Sequence, residues 1–304
     1  MLVVGLLTNL VPYHHARWEA FATTRIADCL LLELAGKDEF GVLQYDPGGK
    51  AAYSRQVLFD QARGDEVSAA DTRRRVRQHL SQMKPDVVCL NGYGFSLSLA
   101  ALEWSIDNRV PTVICSESNE FDAARNPVKE WIKGRLVRLC DAGLAGGTPQ
   151  AQYLNRLGLP RDRIFTGYDA VDNQYFHSRA EIARAGAQTV RVQYDLPEHY
   201  FLAVSRFTEK KNLSSMIQAY GRYLELVRRN GLAGVWELVI LGDGPLAENL
   251  AAMRGALGLN HLIRFLGAMP YEEIPAFYGL ADAFIHASTT EQWGLVVNEA
   301  MACG

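Results

Sequence analysis

Two carboxylates, Glu291 and Glu299, flank the segment Gln292-Trp293-Gly294-Leu295-Val296-Val297-Asn298. An apolar run, Ala283 to Ala287, leads in and Ala300-Met301-Ala302 leads out, so the pattern predicts a strand, a turn and a helix. Such a turn aims unpaired backbone N–H groups and a positive dipole end at one point, which suits a phosphate. The carboxylates beside it suit neutral hydroxyls. A pyrophosphate joining two polyhydroxylated rings, as in a sugar nucleotide, needs both.

Two other motifs carry related chemistry. In Ser205-Arg206-Phe207 followed by Lys210-Lys211-Asn212, Arg206 is expected to leave a strand and Lys211 to begin the next helix. Two such cations can clamp a pyrophosphate, Arg206 by a fork of donors and Lys211 as a point charge, although a solvated basic loop explains the motif equally well. In Leu241-Gly242-Asp243-Gly244-Pro245, the glycines Gly242 and Gly244 let a ligand approach the backbone closely, and a tight turn accounts for them as well. Three motifs at three successive strand ends are harder to explain as surface loops.

The elements that must position these residues alternate short apolar runs with longer helical patterns, the signature of parallel sheets covered by helices. Strands are expected over Val3–Leu7, Gly41–Gln44, Val87–Leu90, Thr112–Cys115, Ala142–Ala145 and Ile164–Phe165, with helices over Arg17–Leu34, Asp71–Met83 and Val128–Leu139. A polar segment at 172–198 reads as a connection, which gives domains at 1–171 and 199–304. The second repeats the alternation from Tyr200–Val204 onward. The fold class is α/β, with two consecutive doubly wound units whose ligands are expected at the carboxyl ends of the strands.

Composition agrees with a soluble globular chain: 304 residues, 48% hydrophobic, net charge −3, which offers no global attraction for nucleic acid. Five cysteines without a C-x-x-C pair read as reduced thiols in a cytoplasmic protein, with no zinc cluster. The opening Met1 to Leu7 has no basic residue ahead of it and reads as a buried strand. No apolar run is long enough to span a bilayer. The chain stops at Gly304 directly after the expected helix, so the second domain is expected to be incomplete.

Arg206 with Lys211, Gly242-Asp243-Gly244-Pro245, Phe265-Leu266-Gly267, Ala281-Asp282, and Glu291-Gln292-Trp293-Gly294 through Glu299 resemble the signature series of family-four retaining glycosyltransferases. Upstream, Val171-Asp172-x-x-x-Phe176 resembles that family's entry to the interdomain segment. The resemblance implies the GT-B fold of two facing Rossmann-like domains. It implies that Arg206, Lys211 and Glu291 act in catalysis, and that Gly242, Gly244, Gly294, Leu295 and Glu299 join them in binding a nucleoside-diphosphate sugar. Glu299 would accept the ribose hydroxyls and Glu291 would lie near the donor sugar, with no cofactor, metal or protein nucleophile required. Asn9, His14 and His15 stand where the family places a glycine-rich loop. Glu117 stands where many members have a histidine near the transferred sugar, so these four are candidates for the acceptor side.

The implied partners are a nucleotide sugar and a glycan or lipid-linked acceptor. The stretch Val128 to Leu139 mixes basic, aromatic and aliphatic residues as a helix on the inner membrane face would, but an amphipathic helix with its apolar stripe on the sheet is the expected arrangement. Two rivals remain at this level: a nucleotide-sugar epimerase of the same fold, and a non-catalytic sugar-nucleotide-binding fragment.

Overall fold

The computed structural model describes residues 1–37, 45, 49 and 51–304. It forms two compact units, Met1–Val171 and Asp172–Gly304. The first comprises β1 (Leu2–Leu7), α1 (Pro12–Thr23), β2 (Asp28–Lys37), β3 (Ser54–Arg63), α2 (Ala69–Met83), β4 (Val87–Asn91), α3 (Ser96–Asn108), β5 (Thr112–Ser116), α4 (Pro127–Val137), β6 (Ala142–Ala145), α5 (Thr148–Leu157) and β7 (Ile164–Thr166). Its seven strands are all parallel, in the order β3-β2-β1-β4-β5-β6-β7. The order reverses direction between β1 and β4, so the loops leaving β1, β4 and β5 gather beside that reversal, where such sheets bind ligands.

The helix expected over Arg17–Leu34 is two elements. Helix α1 ends at Thr23, Arg25 takes a positive φ of 56°, and Asp28–Lys37 is the strand β2. From Leu30 to Leu34 the only polar residue is Glu33, and nearly every position of β2 is buried on both faces, so the segment lacks strand alternation and fits a buried strand or a buried helix by periodicity alone. The strand expected over Gly41–Gln44 lies outside the described residues. Helix α4 also departs in part from expectation. Val137 and Leu136 pack on the core as expected, whereas Val128, Trp131 and Ile132 project to solvent, so only the C-terminal part of its apolar stripe is covered.

The second unit comprises α6 (Asn173–Ala185), α7 (Ala187–Tyr194), β8 (Tyr200–Val204), α8 (Leu213–Arg229), β9 (Glu237–Leu241), α9 (Ala247–Ala256), β10 (Ile263–Gly267), α10 (Ile274–Leu280), β11 (Ala283–Phe284) and α11 (Leu295–Cys303). The four strands are parallel in the order β10-β9-β8-β11. Residues 172–198, expected as a connection, form α6 and α7. Helix α6 packs on α10 and α11 within this unit. The Asp172 carboxylate caps α6 by accepting from Tyr175 N at 2.9 Å, and Phe176 is fully buried against the rings of Tyr271 and Tyr278. Capping and packing account for that sequence string. Its low aliphatic content reflects helices that bury a narrow face, with Ala180 and Ala183 beside Phe176.

Candidate functional site

In the second unit the strand order reverses between β8 and β11, and the motif residues lie at the ends of those strands. The chain leaves β8 still paired. Ser205 N donates to Leu241 O at 3.0 Å, Phe207 N donates to Asp243 O at 2.8 Å, and Gly242 N donates to Gly267 O at 2.8 Å. Three strand ends are therefore laced together beneath Arg206, which is exposed between Ser205 and the buried Phe207.

Gly242 and Gly244 serve this lacing. A β-carbon on Gly242 (φ 128°) would stand 1.8 Å from Ser205 O, and one on Gly244 (φ 152°) would stand 2.8 Å from Phe207 O. The backbone that approaches these glycines is the protein's own.

Lys211 sits on a 3-10 turn, Glu209–Lys211, ahead of α8. This turn is fastened to the segment after β11: Thr289 N donates to Lys210 O at 2.9 Å and Asn212 Nδ2 to Ala287 O at 3.2 Å. That fastening brings Lys211 Nζ into an ion pair with Glu291 Oε1. His286 Nε2 stands 3.1 Å from the same oxygen. Burial pushes the Glu291 carboxyl up, but the Lys211 and Ser288 hydrogen bonds and the Lys211 and His286 charges hold it below its ordinary value.

Gly294 turns the chain into α11 with φ 88°, and a β-carbon there would lie 3.8 Å from Glu291 Cγ. Among the described residues no side chain caps α11, whose first residue is Leu295; Val297 N donates to Gly294 O at 2.9 Å, and the helix start, with its positive dipole end, lies next to the Glu291 side chain. Lys211, Glu291, Gly294 and Leu295 thus come together. His286 joins them without having been singled out, because it lies inside the apolar run that marks the strand.

Glu299 is placed differently, with its side chain among the helices. It is buried, and its Oε2 accepts from Tyr278 OH of α10 at 3.0 Å. Burial raises the Glu299 carboxyl, and the tyrosine bond partly offsets that rise. In the same unit, the side-chain polar atoms of Ser205 and Thr208, after β8, and of Trp293, ahead of α11, are buried with no hydrogen-bond partner among the described residues. Polar groups left in that state cost about 1–3 kcal/mol each, which a ligand can recover by pairing with them.

In the first unit the loop after β1 is held from below. Glu33 of β2 is fully buried, paired with Arg55 of β3, and accepts from Leu10 N at 2.9 Å. Asn9 and His14 meet through the Asn9 carbonyl, 3.4 Å from His14 Nδ1. Burial, then the Arg17 charge, lowers His14 to about 4, so it is neutral at physiological pH. His15 Nδ1 is 2.8 Å from Tyr53 OH, a contact that ties α1 to the segment before β3.

Glu117 follows β5, half-buried, with Arg17 Nη1 3.9 Å from its Oε1. Arg17 in turn pairs with the buried Asp169. Neither Arg17 nor Asp169 stood out in the sequence, where they are 152 positions apart.

Residues 188–304 match the family model described as glycosyl transferases group 1. The chain is similar to mannosylfructose-phosphate synthase of Agrobacterium fabrum, at 29% identity over 184 residues, 58% of this chain and 39% of that protein. The chain is also similar to alpha-monoglucosyldiacylglycerol synthase of Streptococcus pneumoniae, at 29% identity over 128 residues, 41% of this chain and 28% of the relative. It therefore matches well under half the length of these relatives.

Among solved structures, Anabaena HepE in complex with UDP and glucose aligns with 100% of this chain and 78% of its own, at TM-score 0.71 and 16% identity. A UDP-GlcNAc 2-epimerase from Methanocaldococcus jannaschii aligns with 100% of this chain and 82% of its own, at TM-score 0.61 and 16% identity. At such identities the likeness shows the fold, which is the GT-B type implied by the motifs of the group 1 domain.

Proposed function

We propose that the protein is a retaining glycosyltransferase that moves a hexose-type sugar from a nucleoside-diphosphate sugar to a hydroxyl of a glycan or lipid-linked acceptor. The observation that carries this reading is the Lys211–Glu291 pair beside the uncapped start of α11, at the strand reversal of a group 1 domain. Lys211, the α11 N-terminus and the exposed Arg206 supply positive charge for a diphosphate. They stabilise the negative charge that builds on it as the sugar departs, a role for preorganised cations and dipoles. Glu291, released from Lys211 as the diphosphate arrives, accepts from sugar hydroxyls. Glu299 acts on the ribose hydroxyls once Tyr278 yields its bond. The sugar oxygens take up the unpaired polar atoms of Ser205, Thr208 and Trp293.

A lipid-linked acceptor is favoured by α4. Val128, Trp131 and Ile132, one helical face by spacing, are exposed, with Lys129, Arg135 and Arg138 also exposed around them. Such a face suits an anionic membrane surface, and among the described residues no helix is long and apolar enough to cross one. The lipid synthase among the similar proteins supports the same acceptor class.

Calorimetric titration with UDP and with GDP tests the donor half. One nucleotide is expected to bind, and Lys211→Met is expected to weaken it by about tenfold or more, the loss of one charge-assisted contact. A folded protein that binds neither nucleotide refutes the proposal. Turnover of the donor sugar without an acceptor, giving its epimer, would favour the epimerase instead.

A further inference from the structure

The Glu291 carboxylate has two basic neighbours, and they meet it differently. Lys211 Nζ pairs with its Oε1, and His286 Nε2 stands 3.1 Å from the same oxygen. The backbone on both sides of His286 is anchored. Ile285 N donates to Leu202 O of β8 at 2.8 Å, and Ala287 O accepts from Asn212 Nδ2 at 3.2 Å. Asn212 directly follows the 3-10 turn that carries Lys211, so one set of bonds fixes both bases around the carboxylate. The imidazole is also steadied by its neighbours: its ring lies 21° from the plane of Phe284, with centroids 6.1 Å apart, and Phe284 meets Tyr278 edge-on at 5.5 Å.

Proximity has not made the His286 contact a hydrogen bond. Its Nε2 is shielded from solvent and has no hydrogen-bond partner among the described residues, although the Glu291 oxygen is within reach. A lone pair on Nε2 would face a carboxylate oxygen at contact distance, so the proton belongs on Nε2 and Nδ1 is the bare nitrogen of the neutral ring. A buried N–H left without an acceptor is costly, and a turn of the carboxylate toward the ring relieves it.

We infer that His286 is a positioning residue for Glu291: when a diphosphate draws Lys211 away, the His286 N–H takes over the Glu291 oxygen and keeps the carboxylate ionised and in place for the sugar hydroxyls. The identity of that anion rests on the proposed donor site. Every group in the exchange belongs to one compact unit.

The two bases suit different tasks. Lys211 carries a point charge on a flexible stem and can follow an arriving anion, whereas the imidazole is held by its anchored backbone and by Phe284. Burial already opposes the charge on Glu291. A carboxylate there that lost its lysine with no second donor would take up a proton or swing away.

Proton–nitrogen NMR spectra of the imidazoles, with His286 assigned by its loss in His286→Gln, read the bond directly. The neutral ring is expected as the Nε2–H tautomer. Its Nε2–H signal is expected to move downfield in Lys211→Met, and in the wild type on titration with inorganic pyrophosphate. When Glu291→Gln is combined with Lys211→Met, the signal is expected to stay where Glu291→Gln alone puts it. A ring protonated at Nδ1, or a signal indifferent to Lys211→Met, overturns the positioning role whatever the protein catalyses. A response to Lys211→Met with none to pyrophosphate leaves His286 as the positioning residue and overturns the diphosphate as what moves Lys211.

In a transfer assay, His286→Leu is expected to lose about tenfold in kcat with the donor KM within about threefold, as for one charge-assisted bond made after the diphosphate is seated. His286→Gln, whose amide reaches the Nε2 position, is expected to recover most of that loss. Equal losses in the Leu and Gln variants, or a loss confined to KM, overturn the inference. If His286→Leu does not fold, the spectra of the wild type and Lys211→Met still decide.

Discussion

Substituting Gly242 with alanine isolates the lacing of the strand ends from any role in ligand contact. The added carbon would stand 1.8 Å from Ser205 O, a backbone atom that no rotamer change can move. The residue would also have to hold φ 128°, a region that costs an L side chain about 1–3 kcal/mol. To relieve the overlap, the ends of β8 and β9 must part. That breaks the Ser205 N bond to Leu241 O and the Phe207 N bond to Asp243 O, each worth about 0.5–1.5 kcal/mol.

The sum is about 2–6 kcal/mol. With a urea dependence of about 2 kcal/mol per molar, the unfolding midpoint of the second unit should drop by ~1–3 M. Gly231→Ala is the control. Its φ of 62° is also positive, but nothing lies within 4 Å of the added carbon, so only the smaller left-handed cost of about 1–2 kcal/mol remains. Equal midpoints for the two variants would refute the claim that close backbone approach, rather than backbone angle, is what Gly242 provides.

Two further outcomes are expected. The stability of the first unit carries two opposing pH slopes. His14, lowered from 6.5 to about 4, contributes stability that is complete above 6.5 and lost as pH falls through 4. Glu117, raised from 4.5 to about 7, contributes stability that is complete below 4.5 and lost as pH rises through 7. Thermal melts should therefore show His14→Gln losing stability as pH rises across this range and Glu117→Gln gaining it, with the wild type flatter than either; matching profiles for all three would contradict the assignment. On the surface, Trp131→Ser with Ile132→Ser should reduce sedimentation with anionic vesicles by about tenfold or more, since each side chain buries ~1–3 kcal/mol of apolar surface. Unchanged vesicle binding in that double variant would remove α4 from the proposed membrane contact.

The second unit was the more legible part of the chain. Its strands are short apolar runs, and β8, α8 and β9 fall where the pattern puts them because the two five-residue strands are closed by Ser205 and Gly242 and α8 keeps one buried face over seventeen residues. The segment Leu30 to Leu34 was misread because a parallel strand buried on both faces, its one polar residue Glu33 included, loses the alternation that distinguishes it from a helix. The exposed apolar residues of α4 were assigned to the sheet because periodicity reports that a stripe exists, not which side it faces.

In the site, Arg206, Lys211, Glu291 and Glu299 carried recognisable spacing, while Arg17 and Asp169 did not. Their meeting depends on β1 and β7 belonging to one seven-stranded sheet, which no local window contains. His286 was hidden for the opposite reason, as a polar residue inside a run read as apolar.

The union of α6 with α11 has a consequence for how the chain is made. Arg184 of α6 donates to Cys303 O at 2.5 Å and to Gly304 O at 3.2 Å, across 119 and 120 positions, and Phe176 is buried in the same helix packing. As the polypeptide leaves the ribosome, the first unit has its whole sheet available early. The second emerges with α6 leading, and the apolar face of α6 must wait for α10 and α11 to cover it. Closing so long a loop delays folding, and an uncovered Phe176 meanwhile offers other chains a place to stick. Translation speed over the interval between α6 and α11 should therefore weigh more on the yield of folded protein than the same change made earlier in the message.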